Sequence, residues 1–237
     1  MRYRQTFFGI AWAILQPFMM MVVFSIIFGG MAKIPSDNIP YPIFVYTGLL
    51  FWDLFSASLS GASSSLVGNA AIIQKVYVPK LIITASSIIV CLVDFFFAAL
   101  VLAGIMVYYR FIPHFPGLIF LPILLFTTVL TSLGLGWFLA ALNVRYRDVR
   151  YILPFFIQLL IFVTPVIYPV SIVPPAYRWI LSLNPMTGII EIFKSSFLGT
   201  MPLDWHAFGV SAAASVIFFF FGLWYFLKTE KTFADVI

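Results

Sequence analysis

Long stretches without a charged side chain limit the possible folds of this sequence more than any other feature. Residues 5–32, 111–144 and 151–177 contain no Asp, Glu, Lys or Arg. A helix crosses the hydrocarbon core of a membrane with about 20 apolar residues and satisfies its own backbone hydrogen bonds there. The runs do not alternate with period two, as the strands of a membrane β-barrel would. The sequence therefore predicts an all-α integral membrane protein.

The composition excludes other classes of protein. Apolar residues make up 63% of the 237 residues and charged residues 9%, whereas a soluble domain has about 45–50% and about 25%. Disordered chains are much less apolar, and one cysteine, Cys91, excludes a disulfide scaffold. The net charge of +5 follows from the basic residues that flank the apolar runs, so we expect no nucleic acid as a partner.

We predict six transmembrane helices in one domain, residues 1–237. The helices are expected at about residues 10–32, 43–66, 81–109, 117–142, 151–169 and 206–228. Nine of the 13 Lys and Arg residues lie on the side of the N-terminus. The positive-inside rule therefore places both termini in the cytoplasm.

A short amphipathic helix is predicted on the cytoplasmic side at residues 69–80. Its apolar face would include Ile72 and Val76, and Pro79 would end it. Such a helix either lies on the membrane surface or docks a soluble partner, and the pattern leaves both interpretations open.

The next cytoplasmic connection, residues 143–150, holds three arginines at the end of a predicted span. Arginines in this position are first of all an orientation signal. Asp148 can in addition pair with Arg145 or Arg147 and fix the short turn.

A hairpin of two short helices is predicted on the outer side at residues 170–204. The helices are expected at about 176–183 and 186–197, separated by Asn184 and Pro185. Twelve residues rise only about 18 Å, so neither helix crosses the membrane. We expect a re-entrant hairpin that dips into the outer leaflet.

Two charged residues of this hairpin, Glu191 and Lys194, are three positions apart and can form a pair. Irregular backbone at membrane depth is tolerated only where protein or a water-filled cavity shelters it. The hairpin therefore indicates a transport pathway.

Two carboxyl groups, Asp53 and Asp94, lie inside predicted spans. An ionisable residue at the centre of a membrane helix costs at least about 2.5–3.5 kcal/mol, which makes it a functional candidate. The alternative is a structural role, hydrogen-bonded to serines between helices. For Asp53 both interpretations stay open, because the serine-rich residues 56–65 also suit close helix packing. For Asp94 the structural interpretation is favoured.

Aromatic residues in two of the spans are the best placed to line a pathway, since flat rings suit the apolar faces of sugars. They are Tyr46, Phe51, Trp52, Phe55 and Tyr168.

Motifs of catalysis are missing from the sequence. It has no phosphate-binding loop for ATP, no cluster of residues with metal-ligand spacing and no nucleophile elbow. We therefore expect no catalytic residue, metal or cofactor on this chain. A membrane-embedded sugar transferase is disfavoured because acidic pairs are absent from its cytoplasmic side. An ion-coupled secondary transporter that uses Asp53 and Asp94 as a relay stays an alternative.

Six motifs follow one another along the whole chain. They are RYRQTFFG at residues 2–9 with Trp12 and Pro17, GLLFW at 48–52 with Phe55 and Ser56, IQKVYVPK at 73–80, LNVRYRD at 142–148, TPV at 164–166 with Tyr168, and NPM at 184–186. With these motifs the chain resembles the membrane (permease) subunit of a type-2 ABC exporter. The resemblance is to the branch that moves polysaccharides or polyol phosphates, such as O-antigen, capsule or teichoic acid. Members of that family carry a longer cytoplasmic lead before the first motif.

The resemblance implies roles for particular residues. Residues 69–80 would be the coupling helix that docks on a separate ATPase, and residues 170–204 would form the gate helices. The implied coupling residues are Gln74, Lys75, Tyr77, Arg145, Arg147 and Asp148. The implied gate residues are Asn184, Pro185, Glu191 and Lys194.

The resemblance also implies partners and a location. We expect a homodimer in the bacterial cytoplasmic (inner) membrane, with two copies of an ABC ATPase that binds ATP and Mg. The expected cargo is a lipid-linked glycan, and a drug or another lipid is the alternative cargo within the superfamily.

Overall fold

The computed structural model describes residues 11–37, 39–76, 78–146, 148–199 and 203–233, with the backbone alone at residues 11–13, 116 and 232. This part of the chain consists of helices and connecting turns, without a β-strand. The predicted all-α class is therefore confirmed.

The helices follow one another along the chain with short connections. They are α1 (Ala11–Phe24, continued by a π-helix at Ser25–Met31), α2 (Tyr41–Gly68), α3 (Ala70–Ile73), α4 (Lys80–Tyr108), α5 (Phe115–Arg145), α6 (Val149–Val163), α7 (Arg178–Ser182), α8 (Pro185–Leu198) and α9 (Trp205–Thr229). Short 3-10 turns occur at Val170–Ile172, Pro175–Tyr177 and Glu230–Thr232.

Among the described residues, five helices are long and apolar enough to cross a membrane. They are α1 with its π-helical extension, α2, α4, α5 and α9. The predicted fifth span, residues 151–169, differs, because α6 has only 15 residues and ends at Val163. Pro165 lacks an amide donor and disfavours helical geometry at the residue before it, and the backbone of Thr164 is extended (ψ 139°).

The predicted amphipathic helix at residues 69–80 is also shorter than expected. Helix α3 covers only Ala70–Ile73, and a turn follows at residues 74–75. Pro79 precedes α4 with extended backbone (ψ 113°). The connection is therefore one helical turn with an irregular continuation.

Helix α2 lies at the centre of the bundle. It contacts α1, α4, α5, α6 and α8, and most of its side chains between Ile43 and Leu66 are buried. Helix α8 is buried along nearly its whole length, between α2, α5 and α9. We call the end of the bundle that carries this helix the α8 end. The opposite end, where α2 leads into α3, is the α3 end.

Helices α5 and α9 approach each other until their backbones touch. A Cβ atom on Gly222 would overlap the carbonyl group of Gly134 in the facing helix. Nearby, the Thr131 hydroxyl donates a hydrogen bond to the Ser215 hydroxyl (2.6 Å). Apolar helices have no hydrophobic driving force to associate in lipid, so small residues and interhelical hydrogen bonds hold them together.

We predict that Gly222→Ala destabilises the protein, because the added methyl group must push α9 away from α5. Overpacking of this kind costs about 1–3 kcal/mol. Gly209→Ala is the matched control in the same helix, since a Cβ there meets no atom within 4 Å. Thermal unfolding in detergent, followed through the reaction of buried Cys91 with a thiol dye, measures both variants. Equal midpoints for the two variants would contradict the contact.

Candidate functional site

A cleft of about 590 Å³ lies between α1, α2, α4 and α6 and is open on one side. Its volume falls in the range of small-molecule binding sites, about 300–1,000 Å³. The polar residues that line it are Gln16, Asp53, Ser56, Ser60, Ser64, Asp94 and Gln158. Polar groups at this depth in a membrane bundle are expensive and mark transport pathways.

The α2 wall of the cleft carries a carboxyl group and a row of hydroxyl groups. The Oδ2 atom of Asp53 is buried and has no hydrogen-bond partner in the described part of the chain. The Ser56 hydroxyl donates to the Asp53 carbonyl (3.3 Å), and the Ser64 hydroxyl donates to the Ser60 carbonyl (2.9 Å). The Ser56 and Ser64 protons are thus used within the helix, and the Oδ2 atom of Asp53 is buried beside them without a partner among the described residues.

The other walls add groups that the sequence did not single out. Asp94 lines the cleft from α4, next to Cys91, although a purely structural role was favoured for it. Gln16 of α1 and Gln158 of α6 line the same cavity. An amide side chain within an apolar run is a sequence signal that would have identified both positions. Pro17 and Pro154 lie beside them, and each removes a backbone hydrogen bond from its helix.

Four of the five aromatic residues predicted to line a pathway lie inside the protomer. Tyr46 and Phe51 have no exposed surface, and Trp52 and Phe55 are 3% and 2% exposed. The Tyr46 hydroxyl donates to the carbonyl of Ala98 (3.2 Å), which is itself part of the cleft wall. These rings support the wall and do not form it, because a central helix presents only a narrow face to the cleft.

The second feature of the site is the interrupted backbone after α6, which we call the break (residues 164–168). A helix end leaves carbonyl groups without helical partners, and several of those at this helix end accept hydrogen bonds from side chains. The Thr164 hydroxyl donates to the Leu160 carbonyl (2.7 Å), and the Tyr168 hydroxyl donates to the Val163 carbonyl (3.0 Å). The Tyr41 hydroxyl donates to the Ile167 carbonyl (2.7 Å).

Lys194 of α8 satisfies two further carbonyl groups of the break. Its ammonium group donates to the carbonyls of Pro165 (2.8 Å) and Val166 (2.7 Å), and it lies 3.7 Å from the centre of the Phe44 ring. The side chain is 7% exposed. The predicted ion pair between Lys194 and Glu191 does not form. The ammonium group contacts the two carbonyls and the Phe44 ring instead.

Two neighbouring residues make this arrangement possible. The lysine side chain passes over Gly48, where a Cβ would lie 2.9 Å from its Cε atom. Asn184 donates from Nδ2 to the Thr164 hydroxyl (2.7 Å), and its Oδ1 accepts from the Met186 amide (3.0 Å) to cap α8. Pro185 occupies the first turn of α8, where a missing amide proton costs nothing.

A small pocket beside the break is lined by three charged residues of the α8 end and by Tyr168. Asp37, Tyr168, Glu191 and Lys194 line it. Burial raises the pKa of Glu191 to about 7; the Asp204 carboxylate also raises it, and Arg178 and Lys194 lower it. Burial lowers the pKa of the Lys194 ammonium, against the opposite effect of the Asp37 and Glu191 carboxylates.

At the α3 end, the implied coupling residues that the structure describes lie at the surface. Gln74 and Lys75 are exposed in the turn after α3. Arg145 and Asp148 are exposed between α5 and α6, and Arg145 lies against the ring of Tyr146 and forms no ion pair with Asp148. Two further implied residues, Tyr77 and Arg147, lie outside the described residues.

An apolar cluster beneath these residues joins the ends of α2, α4, α5 and α9. We call it the inner cluster; its buried members are Leu66, Trp137, Ala140, Ala141, Val144, Phe226 and Phe233, and Ile73 of α3 packs against it. The Lys80 ammonium also donates to the carbonyl of Glu230 (3.2 Å). A force on the connection after α2 therefore reaches several helices through one packed unit.

We predict that Lys194→Met destabilises the protein, because two carbonyl groups of the break lose their donor. Hydrogen bonds to a charged group contribute about 1.5–3 kcal/mol each, and relief from burying the charge offsets part of this loss. Lys228→Met is the matched control at an exposed lysine, with an expected change within about 0.5 kcal/mol. Thermal unfolding midpoints compare the two; a Lys194 variant as stable as the control would contradict the role of the lysine.

We also predict a pH-dependent effect of Glu191→Gln. The pKa of Glu191 in the folded protein, about 7, lies above the ordinary value of 4.5. The folded state therefore binds the proton more tightly and loses stability as the pH rises from about 4.5 to about 7. The variant removes this loss and should be more stable than the parent at pH 8, with a smaller difference at pH 5. Unfolding midpoints across this range measure it. If the difference in unfolding midpoint between the variant and the parent became smaller as the pH rises, the raised pKa of Glu191 would be contradicted.

Comparison with known proteins agrees with this architecture. A family model described as ABC-2 type transporter matches residues 1–198. The O-antigen export system permease protein RfbA of Myxococcus xanthus is 29% identical over 239 residues, which cover 100% of this chain and 90% of that protein. The protein of the same name from Klebsiella pneumoniae is 25% identical over 236 residues, with the same shares. The polysialic acid transport protein KpsM of Escherichia coli is 22% identical over 228 residues, 94% of this chain and 86% of that protein. The chain thus belongs to the family of ABC-2 type transporters.

Proposed function

We propose that this chain is the permease subunit of an ATP-driven exporter that moves a lipid-linked polysaccharide across the cytoplasmic membrane. The end-to-end similarity to O-antigen export permeases carries the proposal. The polar cleft within an apolar bundle supports it, because a hydroxyl-rich polymer needs hydrogen-bonding groups along its path. ATP and Mg would bind to a separate ATPase, and this chain would be a transport subunit without catalytic residues.

Two copies of the chain would form the conduit. One protomer leaves the cleft open on one side, and α6 exposes a row of large apolar residues beside it, including Phe155, Phe156 and Leu159. A two-fold dimer would place two such clefts face to face and cover part of this surface. The glycan would pass between the two walls while its lipid stays in the bilayer.

The charge distribution supports an orientation with the α3 end in the cytoplasm. Among the described residues, that end carries Lys75, Lys80, Arg145, Arg150, Lys228 and Lys231. The α8 end carries Lys33, Arg110, Arg178 and Lys194. The excess follows the positive-inside rule. The end of α6, the break and α8 would then form the outer part of the path, with Asn184 and Lys194 holding a re-entrant gate.

The ATPase would dock at the connection after α2. Ile72 and Val76 are 53% and 58% exposed there, beside Gln74 and Lys75. Apolar residues next to a charge suit a protein partner better than water. Arg145 and Asp148 would extend the docking surface on the next connection, together with Tyr77 and Arg147 as expected from the sequence.

Coupling would run from the docking surface through the inner cluster to α2. ATP shifts a conformational equilibrium only if it binds the two states with different affinity. Closure of the ATPase would therefore move the connection after α2 and, through Ile73 and Leu66, the cleft wall that carries Asp53. The helices bounding the cleft contain Pro17 and Pro154, positions at which a helix bends readily.

We predict that Gln74→Ala/Lys75→Ala weakens binding of the ATPase or uncouples ATP hydrolysis from export. Both side chains are exposed, so the protein itself should stay folded. Lys33→Ala is the matched control, an exposed lysine at the opposite end of the bundle. Copurification of the ATPase and surface glycan measured in cells give the two readouts. Unchanged copurification and unchanged export in the double variant would remove this surface from the proposal.

A further inference from the structure

Lys80 joins the connection after α2 to the C-terminal end of α9. It is the first residue of α4, directly after Pro79. Its ammonium group donates to the carbonyl of Glu230 (3.2 Å), the residue that ends α9, and lies 5.6 Å from the centre of the Phe233 ring. Phe233 is 2% exposed and packs on the ring of Phe226. The hydrogen bond thus links residues that are 150 positions apart in the chain.

The dipoles of the two helices explain where the ammonium group of Lys80 lies. The N-terminus of α4 carries a partial positive charge and repels a cation, whereas the C-terminus of α9 carries a partial negative charge and attracts one. A cation within about 6 Å of the centre of an aromatic ring is also attracted by the face of that ring. The side chain therefore extends away from its own helix and binds the end of α9, which fastens the connection after α2 to that helix.

The opposite end of α9 packs against α8. A Cβ atom on Gly188 of α8 would overlap the carbonyl group of Ala207, and the Gly188 amide donates to the Ser211 hydroxyl (3.1 Å). Small residues allow two membrane helices to approach closely, and hydrogen bonds between them add to the contact. Helix α8 also carries Lys194, which donates to the carbonyls of the break. A displacement of α9 therefore acts on the helix that holds the break.

Helix α9 is suited to carry a displacement between these two contacts. It has 25 residues and is about 37 Å long, which exceeds the hydrocarbon core of about 30 Å. It contains no proline, the residue at which helices most often kink. None of the described residues that line the cleft belongs to α9. The helix thus connects the two ends of the bundle by a route outside the cleft.

We infer that Lys80 is a positioning residue that couples the ATPase to α8. Motion of the docking connection would pass through the contact of Lys80 with Glu230 and Phe233 to α9, and through α9 to α8 and the break. This inference rests on the proposed function and adds a second route to the one through α2. The route would give ATP a means of changing the α8 end, because α9 follows the docking connection only while Lys80 binds it.

The response of α8 to ATP tests the inference in the complex of this chain with its ATPase, reconstituted in lipid nanodiscs. Ser195→Cys replaces a residue of α8 that lines the pocket beside the break, and it is introduced together with Cys91→Ala. The rate at which a water-soluble maleimide labels this chain is measured with and without ATP and Mg. We expect ATP to change the rate by about 2- to 30-fold, the range of typical coupling between distant sites. Lys80→Met should abolish the change while the ATPase still copurifies.

Two further variants separate this role from a general effect of losing a lysine. Lys228→Met is the matched control and should keep the response to ATP, since Lys228 lies 5.0 Å from the centre of the Trp224 ring within α9 itself. Lys80→Arg retains the charge and the donor and should also keep the response. If Lys80→Met does not fold, Phe233→Leu removes the ring from the same contact, and a reduced response is expected.

The outcomes distinguish the inference from the proposed function. A Lys80→Met complex with the full response to ATP would overturn the inference and leave the proposed function intact. The same holds for a parent complex in which ATP does not change the labelling of position 195. If no ATPase copurifies with the parent, the proposed function fails and the inference fails with it.

Discussion

The interrupted helix after Val163 is the constraint on which much of this structure depends. A proline ends α6 inside an apolar bundle, where water cannot satisfy the freed backbone carbonyls. Three side chains donate hydrogen bonds to these carbonyls: Tyr41 at the start of α2, Tyr168 in the break itself and Lys194 of α8. This requirement explains why an ammonium group is buried, why α8 lies in the interior, and why position 48 of α2 has no side chain.

The two ends of the bundle are held together more tightly than the region between them. At the α8 end, α2, α6 and α8 are tied together by hydrogen bonds through the break. At the α3 end, α2, α4, α5 and α9 are joined by the apolar inner cluster. The cleft lies between these two anchored regions, and its α1 and α6 walls each contain a proline. A transport cycle would therefore change the width of the cleft more readily than the packing at either end.

The sequence predicted what depends on local composition and missed what depends on contacts between distant residues. Charge-free runs gave the long helices, and Asn184 and Pro185 marked the separation between α7 and α8. Asp53 was identified as a functional candidate because a carboxyl group in an apolar run is costly, and the structure places it on the wall of the cleft. The partners of Lys194 were not predictable, since the Pro165 and Val166 carbonyls belong to the backbone and carry no sequence signal. The sequence could not show that Tyr46, Phe51, Trp52 and Phe55 are buried inside the protomer, because the core of a bundle and the wall of a cleft favour the same aromatic residues.

The contact between α5 and α9 has a consequence for how the protein is made. Thr131 and Ser215 are 84 positions apart, and the glycine contact at positions 134 and 222 spans a similar length of chain. Helix α5 therefore leaves the ribosome and enters the membrane long before its main partner exists. Until α9 is synthesised, the small-residue face of α5 must be shielded by lipid or by the insertion machinery. The packing of α5 is therefore completed only after α9 has entered the membrane.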